Sequence, residues 1–201
     1  MIIGIDASNI NSGGGITHLI ALLDEISEND AIHIKIWAPA LTLSKIKDTF
    51  FIEKFNNHYL NSNNFFRFFF QIFLLNKELK KNKCEILFVP GGTYLGSFKP
   101  FVTMCRNMLP FEKKERDRYR YSLKYFKLLL LRTLQLITFK NANGIIFLSN
   151  YAQKKIFNMI PKNLKFEEKT QIIPHGINKK FFFRKRENLT SFKSKNLIKC
   201  V

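Results

Sequence analysis

Residues 1–22, MIIGIDASNINSGGGITHLIAL, decide how the chain folds. A short apolar run at 2–5 ends at Asp6, and a polar loop then leads to three consecutive glycines at 13–15. From Ile16 onward, apolar residues recur at the spacing of an α-helix. A strand, a glycine loop and a helix in this order form the opening unit of an open α/β sheet, in which ligands bind at the carboxyl ends of the strands.

The glycine loop has two interpretations. Gly13, Gly14 and Gly15 would let the backbone approach an anion closely, and the following helix would offer free N–H groups and the positive end of its dipole. The loop matches neither the G-x-G-x-x-G dinucleotide motif nor a Walker-type G-K-[ST] motif. Alternatively the glycines only form the turn that joins strand to helix, and this stretch alone leaves both interpretations open.

The charge balance points to a phosphate-rich partner. The chain of 201 residues carries a formal net charge of +18, and 46% of its residues are hydrophobic, which is enough for a core. Nucleic acid, an anionic lipid and a nucleotide-linked substrate all fit this charge. Because no recognition-helix, zinc-finger or RNP signature accompanies the basic residues, we do not expect nucleic-acid binding.

Cysteine and histidine usage predicts neither a metal site nor a disulfide framework. The three cysteines and four histidines are scattered along the chain, and no C-x-x-C pair occurs. We therefore expect reduced thiols in a cytoplasmic protein without a bound metal. The amino terminus lacks the basic region of a secretory signal, and no apolar run approaches the ~20 residues of a membrane-spanning helix.

Further along the chain, apolar runs and helical periodicity alternate. Strands are predicted at 31–38, 85–89, 101–105, 144–148 and 171–173, and helices at 42–50, 65–83, 112–140 and 149–159, with a loop at 56–64. The strands are apolar on both faces, which favours a Rossmann-like open parallel sheet with helices on both faces. We expect this domain to occupy residues 1–178. Residues 179–201 have the composition of a basic linker, followed by the stub of a carboxyl-terminal domain that is missing from the chain.

Five stretches in this order resemble the amino-terminal half of the GT-B glycosyltransferases. They are SGGGITHL, ILFVPGG, VTMCRNMLPFE, NANGIIFLSNYAQKKI and IIPHGI, and they are spread over residues 12–177. The resemblance is to the retaining, family 4-like (group 1 type) enzymes. It implies transfer of a hexose from a nucleotide-sugar, without a metal, to a glycan or lipid-linked acceptor in cell-surface polysaccharide or lipopolysaccharide assembly.

The resemblance also assigns roles to particular positions. Arg106 and Asn107 stand where many relatives have His-Asp and are the candidate catalytic residues. The resemblance and the loop positions together predict a larger set of substrate-binding residues: Gly13, Gly14, Gly15, His18, Gly91, Gly92, Ser149, His175 and Gly176. Simpler roles are open for some of them: His18 as a helix-surface side chain, Asn107 as a turn cap and Ser149 as a helix N-cap.

Two departures from the family pattern limit what the chain would do alone. The family holds its nucleotide-sugar mainly through the carboxyl-terminal domain, with a basic pair and a pair of glutamates, whereas Glu187 is the last acidic residue of this chain. Arg106 cannot act as a general base near neutral pH, so we expect it to clamp a phosphate or carboxylate. The chain would then need a separate donor-binding domain for turnover.

The sequence leaves two other functions and one question of location open. A non-catalytic acceptor-binding remnant or subunit would also lack the donor domain. The stretch GIDASNINSGGG is similar to the phosphate loop of sugar kinases and actin-like ATPases, where a second antiparallel strand should follow. The basic aromatic helices at 65–83 and 119–140 would either bind the cytoplasmic face of an anionic membrane or simply cover the sheet.

Overall fold

One parallel sheet organises the molecule, which we describe from a computed structural model over residues 1–26, 31–160 and 166–176. Its strands are β1 (Ile2–Asp6), β2 (His33–Trp37), β3 (Ile52–Phe55), β4 (Ile86–Val89), β5 (Phe101–Cys105), β6 (Gly144–Phe147) and β7 (Thr170–Ile172). Their order across the sheet is β3-β2-β1-β4-β5-β6-β7, with every neighbouring pair parallel. The predicted linker and stub at 179–201 lie outside the described residues.

The helices connect these strands. They are α1 (Gly14–Asp24), α2 (Ala40–Leu43), α3 (His58–Asn61), α4 (Asn64–Phe69), α5 (Leu75–Lys81), α6 (Lys113–Asp117), α7 (Leu123–Asn141) and α8 (Asn150–Phe157). A π-helical segment, Phe70–Leu74, joins α4 to α5 into one rod, and two short 3₁₀ turns occur at Leu109–Phe111 and Glu167–Lys169. This is the Rossmann-like α/β architecture that the sequence predicts.

The strand order creates a switch point between β1 and β4. The chain moves outward from β1 through β2 to β3, and then crosses back to place β4 beside β1. Parallel crossovers are right-handed, so outward connections in opposite directions place their helices on opposite faces. In open sheets of this type, ligands bind in the crevice at the carboxyl ends of the strands at the switch point.

Two apolar cores lie on the two faces of the sheet. One core packs α1 and α2 against the sheet through buried residues such as Ile16, Leu19 and Leu43. The other packs the α4–α5 rod, α7 and α8 through residues that include Phe70, Leu75, Leu79, Phe139 and Ile156. The rod and α7 therefore cover the same face, and α1 covers the opposite one.

Three predictions about local structure were wrong. The predicted helix at 42–50 is confined to α2, and the edge strand β3 follows it. The predicted loop at 56–64 contains the single turn α3, which Asn57 caps. The predicted helix at 112–140 is broken between α6 and α7, where Tyr121 has φ 65° and Ser122 caps the second helix.

Two of the three cysteines, which the sequence predicts to be reduced thiols, lie in the described residues. Cys84 and Cys105 are buried and unpaired, and burial raises the pKa of their thiols to about 11 and about 12. Such thiols are unreactive near neutral pH. Cys200 lies outside the described residues.

Candidate functional site

The loops after β1 and β4 face each other at the switch point. A Cβ placed on Gly91 would lie 3.9 Å from the Cβ of Asn9, so the two loops are in van der Waals reach. Gly13 is the N-cap of α1 with φ 60°, and no side chain caps the helix there. A Cβ on Gly13 or Gly14 would meet no atom within 4 Å. The amino end of α1 therefore opens onto free space at the ligand edge of the sheet.

Arg106, His18 and His175 converge on this helix end from three separate stretches. Arg106 follows β5, and its Nη2 lies 3.3 Å from the position of a Cβ on Gly15. His18, one turn into α1, contacts His175 edge-to-face, with 4.2 Å between the ring centroids. Four residues predicted from the sequence as site residues thus meet in one place, which we call the basic crevice: Gly15, His18, Arg106 and His175.

The side chains of the basic crevice disfavour one another's positively charged forms. Burial, together with His175 and Arg106, lowers the pKa of His18 to about 4. Burial and Arg106 lower the pKa of His175, and burial lowers that of Arg106. Within the described part of the chain, the Nε2 atom of His18 is buried and has no hydrogen-bond partner. An anion would reverse this situation, because it favours the protonated form of each side chain.

A buried polar network lies at the carboxyl end of β1. Asp6, 2% exposed at the end of β1, accepts hydrogen bonds from the Ser8 N–H at 3.0 Å and from Gln71 Nε2 at 2.5 Å. Gln71, in the π-helical segment, also donates to the Thr93 carbonyl at 3.1 Å and accepts from the Leu95 N–H at 3.4 Å. This network links β1, the α4–α5 rod and the loop after β4.

The sequence reasoning missed this network. Burial raises the pKa of Asp6, and the hydrogen bonds from Ser8 and Gln71 act against that rise. A possible signal was present, since Gln71 is the one polar residue in the run FFFQIFLL. A lone amide inside an apolar helix is expected to be buried with partners.

The remaining predicted site residues have local roles in the structure. Asn107 is exposed, and its Oδ1 accepts from the Leu109 N–H at 3.0 Å, as the turn-cap alternative predicts. Ser149 is the N-cap of α8, with its Oγ accepting from the Ala152 N–H at 3.2 Å. A Cβ on Gly92 would meet the Met104 carbonyl oxygen at 2.9 Å, and one on Gly176 would meet nothing within 4 Å. A substrate role for these four stays a prediction.

The described residues contain neither a cluster of metal ligands nor a helix that could span a membrane. In the described ranges, no three His, Cys, Asp or Glu side chains come together in a way that could hold a metal ion. Over the same part of the chain, no helix combines the length and the apolar character needed to cross a bilayer.

The fold and the crevice define a Rossmann-like α/β protein with a basic site at its switch point. No protein-family model matches the chain, and no curated protein sequence matches it. The family resemblance therefore remains a hypothesis carried by the motifs themselves.

Proposed function

We propose that the chain is the acceptor-side, amino-terminal domain of a GT-B glycosyltransferase that moves a sugar from a nucleotide-sugar to a lipid-linked cell-surface glycan. The observation that carries the proposal is the convergence of Gly15, His18, Arg106 and His175 at the open amino end of α1. These residues come from three motifs that are far apart in sequence. Their meeting at the switch point is what an anion-binding interdomain cleft requires.

The chemistry of the crevice suits the departure of a diphosphate. When the bond from sugar to nucleoside diphosphate breaks, negative charge grows on the leaving oxygen, and preorganised donors stabilise it. The free N–H groups of α1 and the guanidinium of Arg106 are such donors, and His18 becomes one when it is protonated. In this scheme a donor-binding domain would hold the nucleotide across the cleft from the basic crevice.

A non-catalytic acceptor-binding subunit is the second candidate. Arg106 favours it, because a guanidinium in the place of the relatives' histidine cannot act as a general base near neutral pH. The kinase or actin-like alternative is disfavoured, since the glycine loop leads into α1 and β1 pairs with its neighbours in parallel. We further propose that the chain works at the cytoplasmic face of a membrane as a peripheral protein.

Isothermal titration with pyrophosphate, UDP, GDP and ATP–magnesium tests the proposal. We expect pyrophosphate and the nucleoside diphosphates to bind, and Arg106→Gln to weaken them about tenfold or more, because a charge-assisted hydrogen bond contributes about 1.5–3 kcal/mol. Arg120→Gln removes the same charge from an exposed position and should leave the affinity unchanged. ATP–magnesium binding that ignores Arg106, or no anion binding at all, would overturn the proposal.

A further inference from the structure

Two helical elements on one face of the sheet expose large apolar side chains to solvent. The α4–α5 rod and α7 belong to the same core, yet each also has an outward apolar surface. Eight of the fourteen exposed large apolar side chains in the described residues lie on them: Phe65, Phe66, Phe69, Phe73, Leu123, Phe126, Leu130 and Ile137. We call these eight residues the aromatic face.

The rod carries the aromatic part of this face as a connected cluster. Phe65 is 72% exposed and Phe73 is 63% exposed, and none of the six residues of α4 is buried. The rings nevertheless contact one another: the centroids of Phe65 and Phe66 are 5.7 Å apart, those of Phe69 and Phe73 are 4.9 Å apart, and Tyr59 bridges the two pairs. Apolar side chains grouped in this way on a protein surface mark an interaction site.

The second part of the face is a stripe along α7. Leu123, Phe126, Leu130 and Ile137 are exposed, at 80%, 62%, 59% and 41%. Their spacing of three, four and seven residues places them on one side of the helix. The opposite side, which includes Phe139, is buried on the sheet. The helix is therefore apolar toward the core and again toward solvent.

The charge around the aromatic face is mostly positive, with Glu78 as the one acidic residue of the α4–α5 rod. The sequence has no Asp or Glu from 54 to 77 or from 118 to 166, the segments that contain α4 and α7. Lys77, Lys80 and Lys81 are exposed at the carboxyl end of the rod, and Lys124 and Lys127 are exposed on α7. Aromatic rings beside an excess of lysines are complementary to the interface of an anionic bilayer.

We propose that the aromatic face docks on an anionic lipid bilayer, with the phenylalanines in the headgroup region and the lysines against lipid phosphates. The inference deepens the proposed function, on which it rests for the idea that the acceptor is lipid-linked. Gln71 lies between Phe69 and Phe73 in the rod and donates hydrogen bonds to Asp6, at the end of β1, and to the Thr93 carbonyl in the loop after β4. Buried hydrogen bonds therefore tie the helix that carries the aromatic rings to the carboxyl ends of β1 and β4, the edge of the sheet where the basic crevice lies.

Co-sedimentation with lipid vesicles tests this surface. The probes are vesicles of phosphatidylcholine alone and of an equal mixture with phosphatidylglycerol, at low and high salt. We expect the chain to bind the mixed vesicles, less so at high salt, and the triple variant Phe65→Ser, Phe69→Ser, Phe73→Ser to bind at least about tenfold more weakly. Phe50→Ser is the matched control, because Phe50 is 71% exposed beside Phe51 in the core on the opposite face.

A charge variant keeps the test informative if the triple variant folds poorly. Lys77→Gln, Lys80→Gln, Lys81→Gln should weaken binding to the mixed vesicles and leave binding to pure phosphatidylcholine unchanged. Three outcomes would overturn the inference. They are equal vesicle binding by wild type and both variants, no vesicle binding by wild type at low salt, and burial of the exposed rings in a dimer of the chain. The pyrophosphate affinity of the triple variant should equal that of wild type. If wild type binds pyrophosphate but not the mixed vesicles, the result counts against the aromatic face alone, whereas absence of pyrophosphate binding by wild type counts against the proposed function.

Discussion

Gly92 occupies a position where any side chain would disturb the structure. Its φ is 75°, and an added Cβ would lie 2.9 Å from the Met104 carbonyl oxygen and 3.0 Å from Gln135 Nε2. We expect Gly92→Ala to lower the free energy of unfolding by about 2–4 kcal/mol, since the left-handed conformation costs roughly 1–2 kcal/mol and the backbone contact adds to it. Urea denaturation of the purified protein measures this change.

Gly14→Ala is the control for that prediction. Gly14 is the first residue of α1, and an added Cβ there meets no atom within 4 Å. Its substitution should be neutral or stabilise the protein by up to about 1 kcal/mol, because alanine favours a helix over glycine. Similar losses for both variants would show that the packing around Gly92 is looser than its distances indicate.

Among the elements, the π-helical segment has the clearest structural purpose. A π turn shifts the residues that follow it around the helix axis and is often found at functional sites. Here it presents Gln71 inward to Asp6 and the Thr93 carbonyl, while Phe69 and Phe73 remain exposed. One helix thereby serves both the buried network and the surface of the molecule.

Removing Gln71 should therefore be costly. Gln71→Leu leaves the Asp6 carboxylate without its side-chain donor and leaves the Thr93 carbonyl and the Leu95 N–H without partners. We expect a loss of about 3 kcal/mol in unfolding free energy by urea denaturation, because each stranded buried polar group costs about 1–3 kcal/mol. Gln153→Leu, which removes one partly buried bond to Thr170 Oγ1, should cost about 1 kcal/mol.

A double-mutant cycle separates the network from simple packing. If Asp6 and Gln71 interact as their contact indicates, the combined loss in Asp6→Leu, Gln71→Leu falls short of the sum of the single losses by more than about 1 kcal/mol. Additive losses would contradict a shared buried network.

The elements that could be predicted from sequence are those with an apolar pattern of their own. The buried strands β1, β4 and β6 are short apolar runs with turn residues beyond them, so their positions follow from burial on both faces. The edge strand β3 has the sequence IEKF, with Glu53 exposed, and the ion pair to Lys35 on the neighbouring strand is not visible in its local pattern. Its assignment depends on a partner strand.

The same distinction holds for the site. Gly15 and Arg106 follow strands, and the carboxyl ends of parallel strands share one edge, so the sequence predicts that both lie at that edge. The contact between His18 and His175 depends on where the chain goes after β7, and Gln71 depends on the helical register set by the π turn. Neither the contact between His18 and His175 nor the inward position of Gln71 follows from the local sequence pattern, so only the structure shows them.

At the scale of the whole molecule, repulsion among positive charges is the main electrostatic cost of folding. A net charge of +18 repels itself in the compact state, and acidification increases it as histidines gain protons. The basic crevice concentrates this cost, because Arg106 stays charged while His18 and His175 remain neutral beside it. A bound anion or an anionic surface would relieve it, so both proposals predict stabilisation of the fold by their ligands.

The lowered pKa of His18 predicts that acid destabilises the fold. Its pKa is about 4 in the folded protein against an ordinary value of 6.5, so the unfolded chain takes up a proton between these values. The stabilising contribution is complete above pH 6.5 and is lost as the pH falls toward about 4. From pH 7 to pH 5, we expect wild type to lose about 1 kcal/mol more unfolding free energy than His18→Gln, after a discount for solvent screening.

Comparing wild type with His18→Gln separates the effect of His18 from the effects of the other titratable groups. Asp6 acts in the opposite sense, because its raised pKa makes acidification favour the folded state, but it is the same in both chains and cancels in the difference. Sulfate, which stays a dianion over this pH range, should restore the stability of wild type more than that of His18→Gln when compared with chloride at equal ionic strength. Parallel stability curves for the two proteins, with no specific effect of sulfate, would mean that burial and the neighbouring His175 and Arg106 do not lower the pKa of His18. That result would contradict anion binding in the basic crevice.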